Sequence, residues 1–347
     1  MPETSEGIEF DEMGICRGCQ SSEHKMRINW AEREKELKKI LQHYRSKSGN
    51  NYDCIVPISG GKDSTFQLHV LTKIYNLKPL ALTFNHNWYS DTGIYNLWNS
   101  LEKMNVDHIM FTPNRSLVNR LAKKSLYEIG DACWHCHSGI PAFTLQVAVK
   151  FNIPLIVWGE SAAEFGSKAS YREPIKFDEN YYLKVSSKVN PEEMLDNGIP
   201  VTAKDLCPFQ IPPKEELDKA GVVGIHLGDY IFWDTERQVE FIKKAYGWRE
   251  DDVEGTYKKY KSVECKMAGV HDYAKFIKRG FGRTTDHACI DVRSGLLSRE
   301  EGFELIKKID PKRPTALNEY LKIANMTEEE FEKALKSQRK DNAKELP

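Results

Sequence analysis

Residues 52–66 read Y-D-C-I-V-P-I-S-G-G-K-D-S-T-F, and in them a strand pattern changes abruptly into a helix pattern. The change falls on Ser59-Gly60-Gly61-Lys62-Asp63-Ser64. A glycine turn between a strand and a helix is typical of a phosphate-binding loop. Glycine lets the backbone approach an anion, and the first N–H groups of the helix point at that anion. The serines add hydroxyl donors, and the carboxylate of Asp63 suits Mg²⁺ carried by the phosphates.

The composition limits the possible classes of function. Of the 347 residues, 40% are apolar and 29% charged, which is ordinary for a globular protein of about two domains. The net charge of −1 argues against an extended nucleic-acid-binding surface. The sequence contains no run of 18 apolar residues, so it predicts no membrane span. The polar N-terminus does not look like a signal peptide. Eight cysteines, four of them in two C-x-x-C pairs, favour a reducing, cytoplasmic location and a bound metal over disulfides.

The order of elements predicts the fold class. Strands alternate with helices across residues 51–165, which indicates a doubly wound parallel sheet with helices on both faces. Ligands of such sheets bind beyond the carboxyl ends of the strands, where Ser59, Phe84, Gly159 and Glu160 all fall. We therefore divide the chain into an N-terminal arm and helix with C-x-x-C (1–50), an α/β nucleotide-binding domain (51–165), an irregular substrate-proximal region (166–235) and a helical C-terminal region (236–347).

The cysteine pairs leave three interpretations open. Cys16, Cys19, Cys133 and Cys136 could form one four-thiolate structural zinc site that pins the N-terminal arm to the sheet. One or both pairs could instead be thiols without metal. In a third interpretation, Cys133 and Cys136 bind an iron–sulfur cluster with Cys207, as in some tRNA-modifying enzymes.

A late stretch of glycine and charged residues, 280–301, predicts a recognition loop for an anionic substrate. Arg283 and Arg293 have guanidinium groups suited to phosphate or carboxylate, and His287 could move a proton. The alternative is an ion-pair network within the protein.

The S-G-G-x-D-S hexapeptide resembles the signature of the PP-loop ATPases, which have an adenine nucleotide alpha hydrolase-like fold. The chain as a whole resembles one family among them, the N-acetyl sugar amidotransferases of bacterial O-antigen lipopolysaccharide synthesis. The resemblance rests on the PP-loop stretch together with I-E-F-D-E-M-G-I-C-R-G-C, G-D-A-C-W-H-C-H-S-G-I, K-F-N-I-P-L-I-V-W-G-E, L-G-D-Y-I-F-W-D and G-F-G-R-T-T-D-H-A-C-I-D-V-R.

This resemblance implies a ligase that splits ATP into AMP and pyrophosphate to activate an acyl oxygen on a UDP-linked N-acetyl sugar acid. Ammonia then displaces AMP and leaves an acetamidino or an amide group. The ammonia comes from a glutaminase resembling that of the histidine pathway, through a cyclase-like barrel subunit. The sequence agrees in one respect, because no cysteine in it has the Cys–His–Glu setting of a glutaminase nucleophile.

From these patterns we assign ATP and Mg²⁺ to one set of residues and the substrate to another. Asp63 and Lys62 are the predicted catalytic pair, and Arg283, His287 and Arg293 are the predicted substrate ligands. Two rival functions remain, a PP-loop enzyme that modifies tRNA and a non-catalytic nucleotide-binding subunit of a glutaminase complex. The predicted ATP site comprises Ser59, Gly60, Gly61, Lys62, Asp63, Ser64, Phe84, Gly159 and Glu160.

Overall fold

A five-stranded parallel sheet forms the centre of the protein. The computed structural model describes residues 1–5, 7–165, 171–172, 189–195, 198–340 and 343. The strand order is β3-β2-β1-β4-β5, so the chain first runs outward to one edge and then continues on the other side of β1. The strands are β1 (Cys54–Pro57), β2 (Pro79–Phe84), β3 (Asp107–Phe111), β4 (Leu155–Trp158) and β5 (Val223–His226). All neighbouring pairs are parallel, which confirms the predicted α/β class.

Helices cover both faces of this sheet. Successive residues of a strand point to opposite faces, and β1 shows this clearly. Val56 packs with Leu41 and Leu97 on one face, whereas Ile55 packs with Leu145 on the other. The helices of this half are α1 (Arg17–Lys25), α2 (Trp30–Ser48), α3 (Lys62–His69, continued by a π-helical turn at Val70–Ile74), α4 (Asp91–Met104), α5 (Arg115–Ile129) and α6 (Trp134–Phe151).

Strand β5 extends the sheet into the region that the sequence analysis treats as irregular. Helix α7 (Lys214–Ala220) leads into it, and Val223–His226 pairs along its whole length with β4. The sheet domain therefore continues past residue 165 and includes this strand. The prediction missed β5 because its four residues, V-G-I-H, include a glycine and a histidine and show no clear apolar run. Much of 166–188 lies outside the described residues.

The C-terminal region is helical, as predicted. Ser298 and Thr327 form capping boxes with Glu301 and Glu330 at the starts of two of its helices. This region packs against α5 through a buried cluster that includes Val118, Leu126 and Tyr320, and Tyr320 Oη donates a hydrogen bond to the Ala122 carbonyl at 3.0 Å. Its helices are α8 (Thr235–Tyr246), α9 (Ala268–Arg279), α10 (Arg283–Arg293), α11 (Arg299–Ile309), α12 (Leu317–Ala324) and α13 (Glu328–Ser337). Among the described residues, no helix is both long and apolar enough to span a membrane.

Candidate functional site

The glycine loop joins β1 to α3 as predicted, and its shape requires glycine at one position. Gly60 has a φ of +83°, and a Cβ there would lie 2.5 Å from the Gly93 carbonyl oxygen. Gly61 is the N-cap of α3, which begins at Lys62. The backbone therefore turns into the helix directly at the carboxyl end of a strand, where the N–H groups of the first helical turn can meet an anion.

The two serine hydroxyls hold the loop in this shape. The backbone N–H of Ser59 donates to Ser64 Oγ at 3.3 Å, and Ser64 Oγ donates to the Gly61 carbonyl at 3.2 Å. The N–H of Gly61 in turn donates to Ser59 Oγ at 3.3 Å. Both serine hydroxyls thus take part in hydrogen bonds within the loop, Ser59 Oγ as an acceptor and Ser64 Oγ as both donor and acceptor, and these bonds help to set its shape.

Lys62 and Asp63 form a buried ion pair at the start of α3. Burial raises the pKa of Asp63, but the ammonium groups of Lys62 and Lys261 outweigh burial and the pKa is lowered. For Lys62, burial lowers the pKa, and the opposing effect of Asp63 and Glu160 leaves it raised. Trp233 Nε1 also donates to Asp63 Oδ1 at 3.4 Å. Both predicted catalytic residues are therefore charged at neutral pH.

Lys261 is a second cation at this site, and the sequence analysis did not find it. Burial, followed by the charge of Lys62, lowers its pKa to about 8, although Glu160 and Asp63 oppose that shift. Burial is also the main reason that the pKa of Glu160 is raised. Two ammonium groups that repel one another beside the glycine loop create a positive potential that favours a polyanion. No motif marks Lys261, which lies in a stretch with several other lysines.

Two further residues of the C-terminal part contact the loop. The backbone of Glu264 lies so close to Gly93 that a Cβ at position 93 would overlap it, and its carboxylate oxygens lie 3.3 Å from a Cβ built at Gly61. Burial raises the pKa of the Glu264 carboxyl. Trp248 Nε1 donates to the carbonyl of Gly60 at 2.9 Å. These contacts make the C-terminal part an integral wall of the site.

A cavity of about 750 Å³ adjoins these charges, and two of the three predicted substrate ligands line it. His287 and Arg293 are on its wall together with Glu160 and Lys261. His287 Nδ1 lies 2.7 Å from Thr256 Oγ1. Burial, then the charges of Lys261 and Arg283, hold the pKa of His287 well below its usual value, so its imidazole is neutral at pH 7.

Arg283 does not line this cavity. Its Nε donates to Asp272 Oδ1 at 3.0 Å, and the Asp272 side chain is 4% exposed. This pairing corresponds to the internal ion-pair alternative for the late glycine–arginine stretch.

The two remaining residues predicted to bind ATP serve different purposes here. The Phe84 ring is buried among Phe111, Phe143 and Phe209, so its side chain belongs to the core and only its backbone reaches the carboxyl edge of the sheet. Gly159 faces the site, because a Cβ there would lie 3.5 Å from both Asp63 Cβ and the Trp233 ring.

The structure places the cysteine pairs at two separate locations. The Sγ atoms of Cys16 and Cys19 lie 3.5 Å apart, and Cys19 lines the cavity. Among the described residues, one group of three or more metal-ligating side chains has its donor atoms within 4.8 Å of each other. That group is Asp131, Cys133 and His271. The four predicted cysteines are therefore not assembled into one site, and Cys207, of the iron–sulfur alternative, is exposed.

Comparison with known proteins links the C-terminal part to a described family. Residues 254–344 match the family described as LPS biosynthesis protein WbpG-like, C-terminal domain. The uncharacterized protein MJ1599 of Methanocaldococcus jannaschii is 26% identical over 319 residues, which cover 92% of this chain and 94% of that protein. The NMN synthetase from Francisella tularensis has 14% identity and a TM-score of 0.32, over 56% of this chain and 93% of that one.

Proposed function

We propose that this chain is an ATP-dependent synthetase of lipopolysaccharide biosynthesis, and the match of residues 254–344 to the WbpG-like C-terminal domain supports this pathway. More specifically, it forms AMP and pyrophosphate from ATP and attaches ammonia to an acyl carbon of a UDP-linked N-acetyl sugar acid. The single observation that carries this proposal is that Lys62, in the Ser59–Ser64 loop, interacts with Lys261 and Glu160, which also line a cavity with room for a sugar nucleotide.

The chemistry explains why such a reaction needs both features. An amide or carboxylate oxygen is a poor leaving group. When that oxygen attacks the α-phosphate of ATP, pyrophosphate leaves and the acyl group becomes bonded to AMP. Ammonia can then displace AMP, which carries the oxygen away. The protein must then hold two reactants in line and neutralise the charge of the departing pyrophosphate. The N–H groups at the start of α3, with Lys62 and Lys261, supply the positive potential. Mg²⁺, which Asp63 and Glu160 would hold, neutralises phosphate charge when it is bound.

The cavity suits the second reactant, the UDP-linked sugar. Arg293 offers a guanidinium group to a diphosphate or a sugar carboxylate, and the neutral imidazole of His287 can accept a proton from the attacking amine. The nitrogen source is part of the same proposal. A glutaminase resembling that of the histidine pathway delivers ammonia through a cyclase-like barrel subunit, and all three act in the cytoplasm, where ATP is available.

The test measures pyrophosphate release from ATP, Mg²⁺ and an ammonium salt with a panel of UDP-N-acetyl sugar acids. Mass spectrometry of the sugar should show the exchange of O for NH. Asp63→Ala should abolish sugar-dependent release, whereas Asp218→Ala, on exposed α7, should leave it unchanged, and circular dichroism should show both variants folded. Full activity of Asp63→Ala would disprove the proposed role.

The same assay separates the two rival functions. Pyrophosphate release that depends on tRNA, and not on any sugar nucleotide, would support the tRNA-modifying alternative. Tight nucleotide binding without release under every condition would support the non-catalytic subunit.

A further inference from the structure

A compact group of metal-ligating side chains lies where the α/β domain meets the C-terminal helices. Asp131 and Cys133 belong to the short connection between α5 and α6, and His271 belongs to the first turn of α9. One donor atom from each of them lies within 4.8 Å of the others. The side chain of Asp131 is 4% exposed and that of His271 is 24% exposed, so the group is largely shielded from water but reachable by an ion.

A fourth donor stands beside this group. His137 lies one helical turn after Cys133, so the two side chains share a face of α6. Its Nδ1 is 3.2 Å from Asp131 Oδ2, while His271 Nδ1 is 3.8 Å from Asp131 Oδ1. The two imidazole rings lie 5.2 Å apart, centroid to centroid. Both histidines therefore converge on the same carboxylate from opposite elements.

We propose that Asp131, Cys133, His137 and His271 together bind one Zn²⁺ ion. Thiolate sulfur, imidazole nitrogen and carboxylate oxygen are the three ligand types that zinc takes in proteins, and four of them form a closed tetrahedral site. At metal–ligand distances of about 2.0–2.3 Å, tetrahedral donors lie about 3.5 Å apart. Asp131, Cys133 and His271 would therefore draw together by at most about 1.3 Å when the ion enters, and His137 would turn in from slightly further away. This set keeps Cys133 of the four-cysteine prediction and replaces its other three members.

The position of the site gives the ion a structural role. Lys278, seven residues after His271 on α9, already donates hydrogen bonds to the carbonyls of Ile129 and Gly130 at 2.9 Å each. Zinc would fix the same helix to the same connection at a second point. The segment that ends just before α9 carries Lys261 and Glu264, so the ion also holds in place the wall of the nucleotide site.

Metal content measured by mass spectrometry on the full-length protein tests the ligand set. We expect about one zinc per chain in the wild type. We expect the same in Cys16→Ser and Cys207→Ser, and loss of the ion in Cys133→Ser and His271→Gln. His43→Gln, on an exposed position of α2, is the matched histidine control. Zinc lost equally from Cys16→Ser would overturn the proposal in favour of the four-thiolate site. Stoichiometric iron would overturn it in favour of a cluster.

Cobalt substitution provides a readout that is independent of enzyme activity. Co²⁺ added to the zinc-free protein should give the intense visible bands of a tetrahedral site and a near-ultraviolet thiolate-to-cobalt band. Cys133→Ser should lose the near-ultraviolet band, and His271→Gln should lose the tetrahedral visible bands. A chelator should lower the melting temperature of the wild type but not that of His271→Gln. Octahedral cobalt spectra, or no binding to wild-type protein, would refute the site even if the synthetase activity is confirmed.

Discussion

The lowered pKa of Lys261 predicts that nucleotide binding weakens as the pH rises through about 8. Only the ammonium form attracts phosphate, and its fraction follows from the pKa. About nine-tenths of Lys261 is charged at pH 7 and about one-tenth at pH 9. Because the apparent dissociation constant is the intrinsic one divided by the competent fraction, it should rise about tenfold over this interval, or about 1.4 kcal/mol. An ordinary lysine, with a pKa near 10.4, would leave the dissociation constant almost unchanged between pH 7 and pH 9.

Isothermal titration with ATP and Mg²⁺ at constant ionic strength measures this effect. Lys261→Met should bind weakly at pH 7 and show little further change up to pH 9, because its side chain has no proton to lose. Lys261→Arg should keep its affinity at pH 9, since guanidinium stays charged. Lys259→Met, two residues away and 63% exposed, is the matched control and should behave like the wild type. A wild-type affinity that is flat between pH 7 and 9 would refute the reasoning, and so would an equal slope in Lys261→Met.

Two further substitutions test the loop itself, both by urea denaturation. Gly60→Ala should destabilise the fold by about 3 kcal/mol or more, because it adds a clash with the Gly93 carbonyl to an unfavourable φ. Gly14→Ala, at a φ of +75° with no atom within 4 Å, should cost only about 1–2 kcal/mol, and equal losses would contradict the predicted clash. Trp248→Phe removes the buried hydrogen bond to the Gly60 carbonyl and should cost about 1–2 kcal/mol, with weaker ATP binding. Unchanged stability would show that this bond is not needed.

The sequence was sufficient for the parts of the protein that depend on local pattern. The strand, the glycine turn and the start of α3 follow from one another along 54–64. Asn29, a residue type favoured at N-caps, caps α2 by accepting a hydrogen bond from the N–H of Glu32. Residues 254–344, which include the quoted motif at 280–293, match a lipopolysaccharide-biosynthesis domain, as the resemblance predicted for that part of the chain. In each case the residues that carry the signal are neighbours in the chain.

The parts that could not be predicted depend on distant residues. Helix α6 begins at Trp134 with Cys133 as its N-cap, so the second C-x-x-C pair spans the start of a helix. Pro141 lies in its second turn, where proline is unfavourable, so this start does not follow from local pattern. Lys261 and Asp131 had no visible role, because each gains its partners from segments far away in the sequence. The C-x-x-C spacing of a cysteine pair is visible in the sequence. A mixed Asp–Cys–His group assembled from two domains has no such spacing and cannot be found that way.

The contacts at the loop indicate that neither half of the chain forms the proposed nucleotide site alone. Gly93 has no room for a side chain because the backbone of Glu264 fills that space, and the N–H of Ser90 donates to the Glu264 carbonyl at 3.1 Å. Without the C-terminal part, the carbonyl of Gly60 would lose Trp248, and Lys62 would face the phosphates without Lys261. A loop whose shape and charge both depend on a second domain can bind its nucleotide well only when that domain is docked. The C-terminal part, most of which matches the WbpG-like domain, therefore contributes to both the shape and the charge of the glycine loop.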